Sequence, residues 1–422
     1  MNPPPSRQAA QRLTALCCLI YFASYLTRLN YGAALTEIIR DLQVSKETAI
    51  LAVTGSFITY GAGQLFSGAL GDRFSPRLII TLGMIATCLC NIAVALLDSM
   101  AVITVLWCCN GFFQSMLWPP LVKIMVRNLS KEDYARGCVL VSGAATVGTI
   151  AVYLLVPLCI QLNSWRLSFH NAALFGLLSA AAWLWGTRDL SQPPVFPDAS
   201  PLSSKPAQTD LGRLFLLSGL VPVLAAIIAQ GTLRDGLTTW MPTFIAENYQ
   251  LGSSLSILTA VVLPVFSLVC IFLSSRLQSR VGNELFSSTL LFALGSAASV
   301  LLPLLHRSGA AASVLLMSVT TGCMYGVNML LIGRLPAYFA PYGCVSTMSG
   351  ILNACTYVGS ALSTYGIAAV SSRFGWPVTM VLWAVIALAG TLLCAFSTRR
   401  WGNFTRMSEE ELEKTQKITP SR

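Results

Sequence analysis

Apolar residues in this chain come in long stretches, and the charges sit in the short segments between them. A run of about 20 mostly apolar residues crosses the hydrocarbon of a bilayer as one helix. The pattern predicts twelve such helices, at roughly 13–35, 48–70, 78–97, 102–126, 136–160, 168–187, 214–245, 254–275, 285–305, 309–334, 345–370 and 376–397. The longest internal polar segment lies between the sixth and seventh. It holds Ser191-Gln192-Pro193-Pro194 and Ser203-Ser204-Lys205-Pro206, which is linker composition. Six spans lie on each side of it. The expected organisation is a six-helix bundle over 1–187, a linker over 188–213, a second six-helix bundle over 214–398 and a charged tail over 399–422, helical around Glu409–Lys414. The first apolar stretch continues to about Leu35, too long for the apolar region of a cleaved signal peptide, and is expected to be a retained span.

Composition supports the same class. The chain is 55% hydrophobic and 10% charged, against about 25% charged in soluble domains. The net charge of +10 is spread over short loops and tails, with no basic patch carrying interleaved aromatics, which excludes a nucleic-acid surface. With the N-terminus placed in the cytoplasm, twenty of the 27 Lys and Arg residues fall in cytoplasmic segments and five on the opposite side. The positive-inside rule then predicts that both termini and the linker are cytoplasmic. Cysteines such as Cys17, Cys88, Cys108 and Cys394 lie within apolar runs, where they act as small hydrophobes. There is no CxxC pair, Walker sequence or GxSxG elbow, and His170 and His306 are the only histidines. No enzyme, metal or cofactor is expected.

Two basic residues break the rule that charge stays out of spans. Arg28 lies inside the first span and Arg234 inside the seventh, the first of each half. A charge at a helix centre costs about 2.5–3.5 kcal/mol on insertion scales, so intramembrane arginines mark binding or transport sites by default. Tyr21, Tyr25 and Arg28 follow i, i+4, i+7 and share one face. Repeated halves would bring the two arginines to a shared midplane site, where two guanidiniums hold a carboxylate or phosphate by bidentate hydrogen bonds. Asp235 is the one acid well inside a span; charge balance and proton transfer are its two open roles. Tyr60 and Gln64 share a face of the second span, Tyr325 and Asn328 a face of the tenth, and Asn353, Tyr357 and Ser360 a stripe of the eleventh. Each could read substrate hydroxyls or bond between helices.

The second span ends in Gly68-Ala69-Leu70-Gly71-Asp72-Arg73-Phe74-Ser75-Pro76-Arg77. This run resembles the loop signature of the major facilitator superfamily, with Gly68, Asp72, Arg73 and Arg77 as a cytoplasmic gate motif. The resemblance implies two pseudo-symmetric six-helix bundles working by alternating access. Three further runs, Tyr25-Leu26-Thr27-Arg28-Leu29-Asn30-Tyr31, Gly111 to Pro120 with Gln114 and Trp118-Pro119-Pro120, and Leu233 to Pro242, are similar to the organophosphate:phosphate antiporter family. That family includes bacterial glycerol-3-phosphate and hexose-6-phosphate transporters. The resemblance implies that Arg28 and Arg234 bind substrate phosphate. Where glycerol-phosphate transporters carry two lysines, this chain has Leu29 and Gln64; where they carry a histidine and an aspartate it has Ala145 and Thr239. Two arginines offset by Asp235 fit a singly charged phosphate ester, phosphonate or carboxylate.

The expected function is therefore secondary transport of a small organic anion, phosphorylated and exchanged for inorganic phosphate, in a bacterial inner membrane and as a monomer. Arg28 and Arg234 hold the anionic group, and Tyr21, Tyr25, Tyr60, Gln64, Asn353 and Tyr357 read the remainder. Two alternatives stay open: a proton-coupled carboxylate symporter with Asp235 as proton carrier, and a transporter-like sugar-phosphate sensor.

Overall fold

The structure is a computed structural model that describes residues 7–162, 164–188, 211–250 and 262–418. Residues 189–210 of the expected linker, 254–261 of the expected eighth span and 419–422 of the tail lie outside the described residues. The elements are helices throughout, with no strand among the described residues. Eleven of these helices are long and apolar enough to cross a membrane. The run Val345–Ile418 is broken at Gly375 (φ 75°, ψ 175°), and its part 345–374 is a twelfth helix of membrane length. The chain forms two compact units, Met1–Leu202 with Tyr342–Ala354, and Ser203–Pro341 with Cys355–Arg422. The segment Tyr342–Ala354, in the second half by sequence order, belongs with the first unit.

The first unit contains α1 (Arg7–Leu42), α2 (Lys46–Arg73), α3 (Pro76–Ala95), α4 (Met100–Ser115), α5 (Trp118–Asn128), α6 (Lys131–Leu162) and α7 (Trp165–Gly186). The fourth span divides into α4 and α5 because Pro119 and Pro120 lack an N–H and fit a helix only in its first turn. Helix α2 packs on α4, α1 on α6 and α3 on α7. Small residues set the closest approaches: a Cβ on Gly148 would stand 2.9 Å from the Cβ of Tyr25, bringing α6 against α1. A ring cluster of Tyr31, Trp107, Phe169 and Trp165 fills one end of the unit.

The second unit contains α8 (Leu211–Ser218), α9 (Leu220–Tyr249), α10 (Val262–Val281), α11 (Glu284–Leu305) and α12 (Ala310–Asn328), then most of α13 (Val345–Ile418). Gly219, at φ 69°, separates α8 from α9 inside the expected seventh span; only glycine takes that conformation at no steric cost. Helix α12 continues through a π-helical stretch, Met329–Arg334, and a 3-10 stretch, Leu335–Tyr342. The tail is more than a charged extension. Trp401 and Phe404 are buried against Tyr338 and Phe339, and the Trp401 indole donates to Glu284 at 3.1 Å. In both units large apolar side chains such as Leu82, Leu154, Leu178 and Leu392 point outward and are exposed. Lipid, not water, is the solvent such surfaces suit.

Candidate functional site

Arg28 sits on α1, half-buried, with its guanidinium between two phenol rings. The guanidinium carbon is 4.4 Å from the centre of the Tyr25 ring and 5.0 Å from that of Tyr60. Such contacts are worth about 0.5–2 kcal/mol, more where water is excluded. Tyr25 meets Tyr21 edge-on at 5.5 Å, and Tyr21 lies 4.8 Å from Trp118. The four rings and one guanidinium form a continuous surface drawn from α1, α2 and α5. Beside it, one turn along α2 from Tyr60, Gln64 is fully buried, and neither end of its amide has a hydrogen-bond partner among the described residues. A buried amide without partners costs stability, and this one stands beside the Arg28 surface.

The adjoining face of α1 explains how the helix that carries Arg28 is held. The Thr27 carbonyl accepts from the Asn91 amide at 3.0 Å and the Asn110 amide at 3.2 Å, and the Thr27 hydroxyl from Gln114 at 2.8 Å. Gln114 also reaches the Ser24 carbonyl, and Asn30 donates to Asn91 at 2.8 Å. Amides from α3 and α4 thus hold one face of α1. Arg28, one residue or about 100° round from Thr27, is left pointing away from them. Gln114, singled out in sequence by its place before Trp118-Pro119-Pro120, therefore positions the helix that carries the arginine.

In the second unit Arg234 is buried on α9, and its Nε and Nη2 donate to the two carboxylate oxygens of Asp235 at 2.7 and 2.8 Å. Neighbouring helical residues project about 100° apart, yet the long arginine side chain folds back to make a bidentate pair. The Ser360 hydroxyl donates to the same carboxylate. The guanidinium also lies 5.6 Å from the Tyr325 ring, and Tyr357 stands within electrostatic reach of it. Helices α9 and α13 meet closely because a Cβ on Gly359 would stand 2.8 Å from the Thr232 nitrogen, with Thr232 donating to the Gly359 carbonyl at 3.2 Å. Charge is thus largely satisfied within this cluster.

The Gly68–Arg77 run has partners that the sequence did not indicate. The Asp72 carboxylate accepts from the backbone N–H groups of Ser346 at 3.0 Å and Thr347 at 2.7 Å, in the first turn of α13. It also lies 3.6 Å from the Lys123 ammonium, which donates to the Gly71 and Asp72 carbonyls. A carboxylate at a helix N-terminus satisfies orphan donors and complements the dipole. Gly68 faces Gly350, and a Cβ on either would stand within about 3.2 Å of the other's Cα. Burial and the nearby Asp72 carboxylate push the Cys344 thiol up to about 12, so it stays neutral. Arg77 donates to the Leu184 carbonyl at 2.6 Å, fastening α3 to α7, and Arg73 is exposed.

Of the other candidates, Asn353 is buried in the part of α13 that belongs to the first unit, while Tyr357 and Ser360 lie in the part that belongs to the second. Asn328 ends α12 at the start of the π-helical stretch, a geometry enriched at functional sites. Ser346, Thr347, Lys123 and the amides of Asn91 and Asn110 were not legible as site components. Asparagines in apolar runs carry no spacing signal, and their partners are 64 and 83 residues away.

The family model described as Major Facilitator Superfamily matches residues 17–364. The chain is similar to the Membrane sensor protein UhpC of Salmonella typhimurium, at 25% identity over 392 residues, 87% of this chain and 86% of that protein. It is similar to the Glycerol-3-phosphate transporter of Bacillus subtilis, at 23% identity over 381 residues, covering 84% and 85%. In fold it is similar to the crystal structure of FucP, a Major Facilitator Superfamily transporter in the outward conformation, with a TM-score of 0.73, 13% identity, and 91% and 98% coverage. The relatives bear out the resemblance read from the arginine and Trp-Pro-Pro runs. A family match over most of its length, on a fold of twelve membrane-length helices, makes this chain a member of the major facilitator superfamily.

Proposed function

We propose that the chain is a secondary transporter for a small phosphorylated organic anion, exchanged for inorganic phosphate by alternating access, with Arg28 and Arg234 as the cations that hold the anion. The observation that carries this reading is Arg28, an intramembrane guanidinium flanked by the Tyr25 and Tyr60 rings beside the buried Gln64 amide. A planar guanidinium recognises phosphate or carboxylate bidentately, and the phenols and amide supply donors and acceptors for a hydroxylated remainder. The Arg234–Asp235 pair reduces the net charge available to the substrate, which favours a singly charged anion. A relative named Glycerol-3-phosphate transporter, aligned over 84% of the chain, supports the phosphorylated class. The test is counterflow in proteoliposomes preloaded with phosphate, against a panel of phosphate esters, phosphonates and carboxylates. Exchange of esters and not carboxylates is the expected result; uptake of carboxylates driven by a proton gradient would replace the reading with proton symport through Asp235.

One observation favours a second reading. A relative named as a membrane sensor aligns along 87% of the chain. A sensor binds its anion without exchanging it, so saturable binding with no counterflow in the same vesicles identifies that role.

A further inference from the structure

The two six-helix halves repeat one detail at the C-terminal ends of their first helices. Trp165, the first residue of α7, donates its indole N–H to Asp41 at 2.9 Å. Trp376, just after the break at Gly375, donates to Glu247 at 2.7 Å. Asp41 stands thirteen residues after Arg28, and Glu247 thirteen after Arg234. Both first helices then stop on a glutamine in the left-handed region, Gln43 and Gln250, each at φ 52°. Each half therefore ties its first helix to its last through a carboxylate and an indole.

The residue after the tryptophan separates the two ends. In the first unit it is Arg166, whose guanidinium lies 4.4 Å from the Trp165 ring centre and pairs with both Asp41 and Asp98. In the second unit it is Pro377, which carries no charge. Trp376 is the one partner of Glu247 among the described residues. Beside this pair lies a cavity of about 220 Å³ lined by Trp240, Thr243, Glu247, Ser371, Ser372 and Trp376. Trp240, Thr243 and Glu247 share one face of α9 at i, i+3, i+7.

We propose that this cavity binds a planar organic cation of the guanidinium or amidinium class. The carboxylate of Glu247 pairs with it, the indoles of Trp240 and Trp376 offer π faces, and the hydroxyls of Thr243, Ser371 and Ser372 accept its remaining N–H groups. Indoles offer no ligand atoms to a metal ion, and Glu247 repels anions. Thirteen residues of helix separate it from Arg234 by about 20 Å, so the site is distinct from that of the proposed transport substrate. A bound cation would fasten the first and last helices of the second unit as Arg166 fastens those of the first.

The test is a titration of the full-length chain in detergent with methylguanidinium, and with methylurea as its neutral isostere, read by ligand-observed NMR. Saturable binding of methylguanidinium and none of methylurea is expected. Glu247→Gln keeps an oxygen for the Trp376 N–H but removes the charge, and should weaken binding about tenfold or more. Pro377→Arg should abolish it by supplying the guanidinium from the chain itself. Circular dichroism checks that each variant is folded; if Pro377→Arg is not, Glu247→Gln and methylurea decide. Absence of saturable binding, equal binding of methylurea or undiminished binding by Glu247→Gln would overturn the site. None of these readouts depends on transport.

Discussion

The two intramembrane arginines are alike in sequence and unlike in surroundings. Arg28 has aromatic neighbours, whereas Arg234 is held by the carboxylate one residue on. Arg28→Lys keeps the charge but loses the planar fork and its stacking, so anion counterflow should fall by about tenfold or more; undiminished counterflow would remove Arg28 from the site. Asp235→Asn should leave phosphate counterflow in place while abolishing any uptake driven by a proton gradient, measured in the same vesicles. Both arginines were legible because charge in an apolar run is costly and therefore informative. Their partners were not. Whether Asp235 faces Arg234 depends on side-chain torsions, and the ring contact between Arg28 and Tyr60 joins residues 32 positions apart that share no periodicity.

At the level of elements, amides and small residues decide which way a helix faces. Gln114→Leu removes two hydrogen bonds to α1. It should destabilise the chain by about 1–3 kcal/mol and lower anion affinity together with Tm, since the bonds it loses hold the helix that carries Arg28. Asp72→Asn weakens the cap on α13 and should cost about 1 kcal/mol, seen as a lower Tm in detergent. Span existence was readable from hydropathy because twenty apolar residues have one use in a chain this poor in charge. The breaks within spans, at Pro119 and at Gly219, were not visible in hydropathy, because a proline or glycine inside an apolar run leaves its mean hydropathy unchanged. The buried seat of Trp401 was missed since the tail around it is polar, and a single tryptophan there has no pattern to betray a docking site.

For the whole molecule, the arrangement of basic residues predicts that both termini lie on the cytoplasmic side. A protease-cleavable tag at either end should be cut from that face of oriented membranes and protected from the other. The repeated half was legible as a layout of six spans and six, but its internal likeness runs deeper, down to a carboxylate–indole tie at matching positions. What differs between the copies, an arginine in one and a proline in the other, was visible in sequence yet meaningless until the cavity beside it was. One contact within the first unit has a mechanical consequence. Where Gly68 of α2 crosses Gly350 of α13, main chain rests on main chain with no side chain between. A fulcrum of that kind has no rotamers to reset and no knobs to withdraw from holes. Under the proposed alternating access, the two helices would change their crossing angle there while the point of contact stays put, and the Asp72 clasp one turn away would open and reseat in the same register.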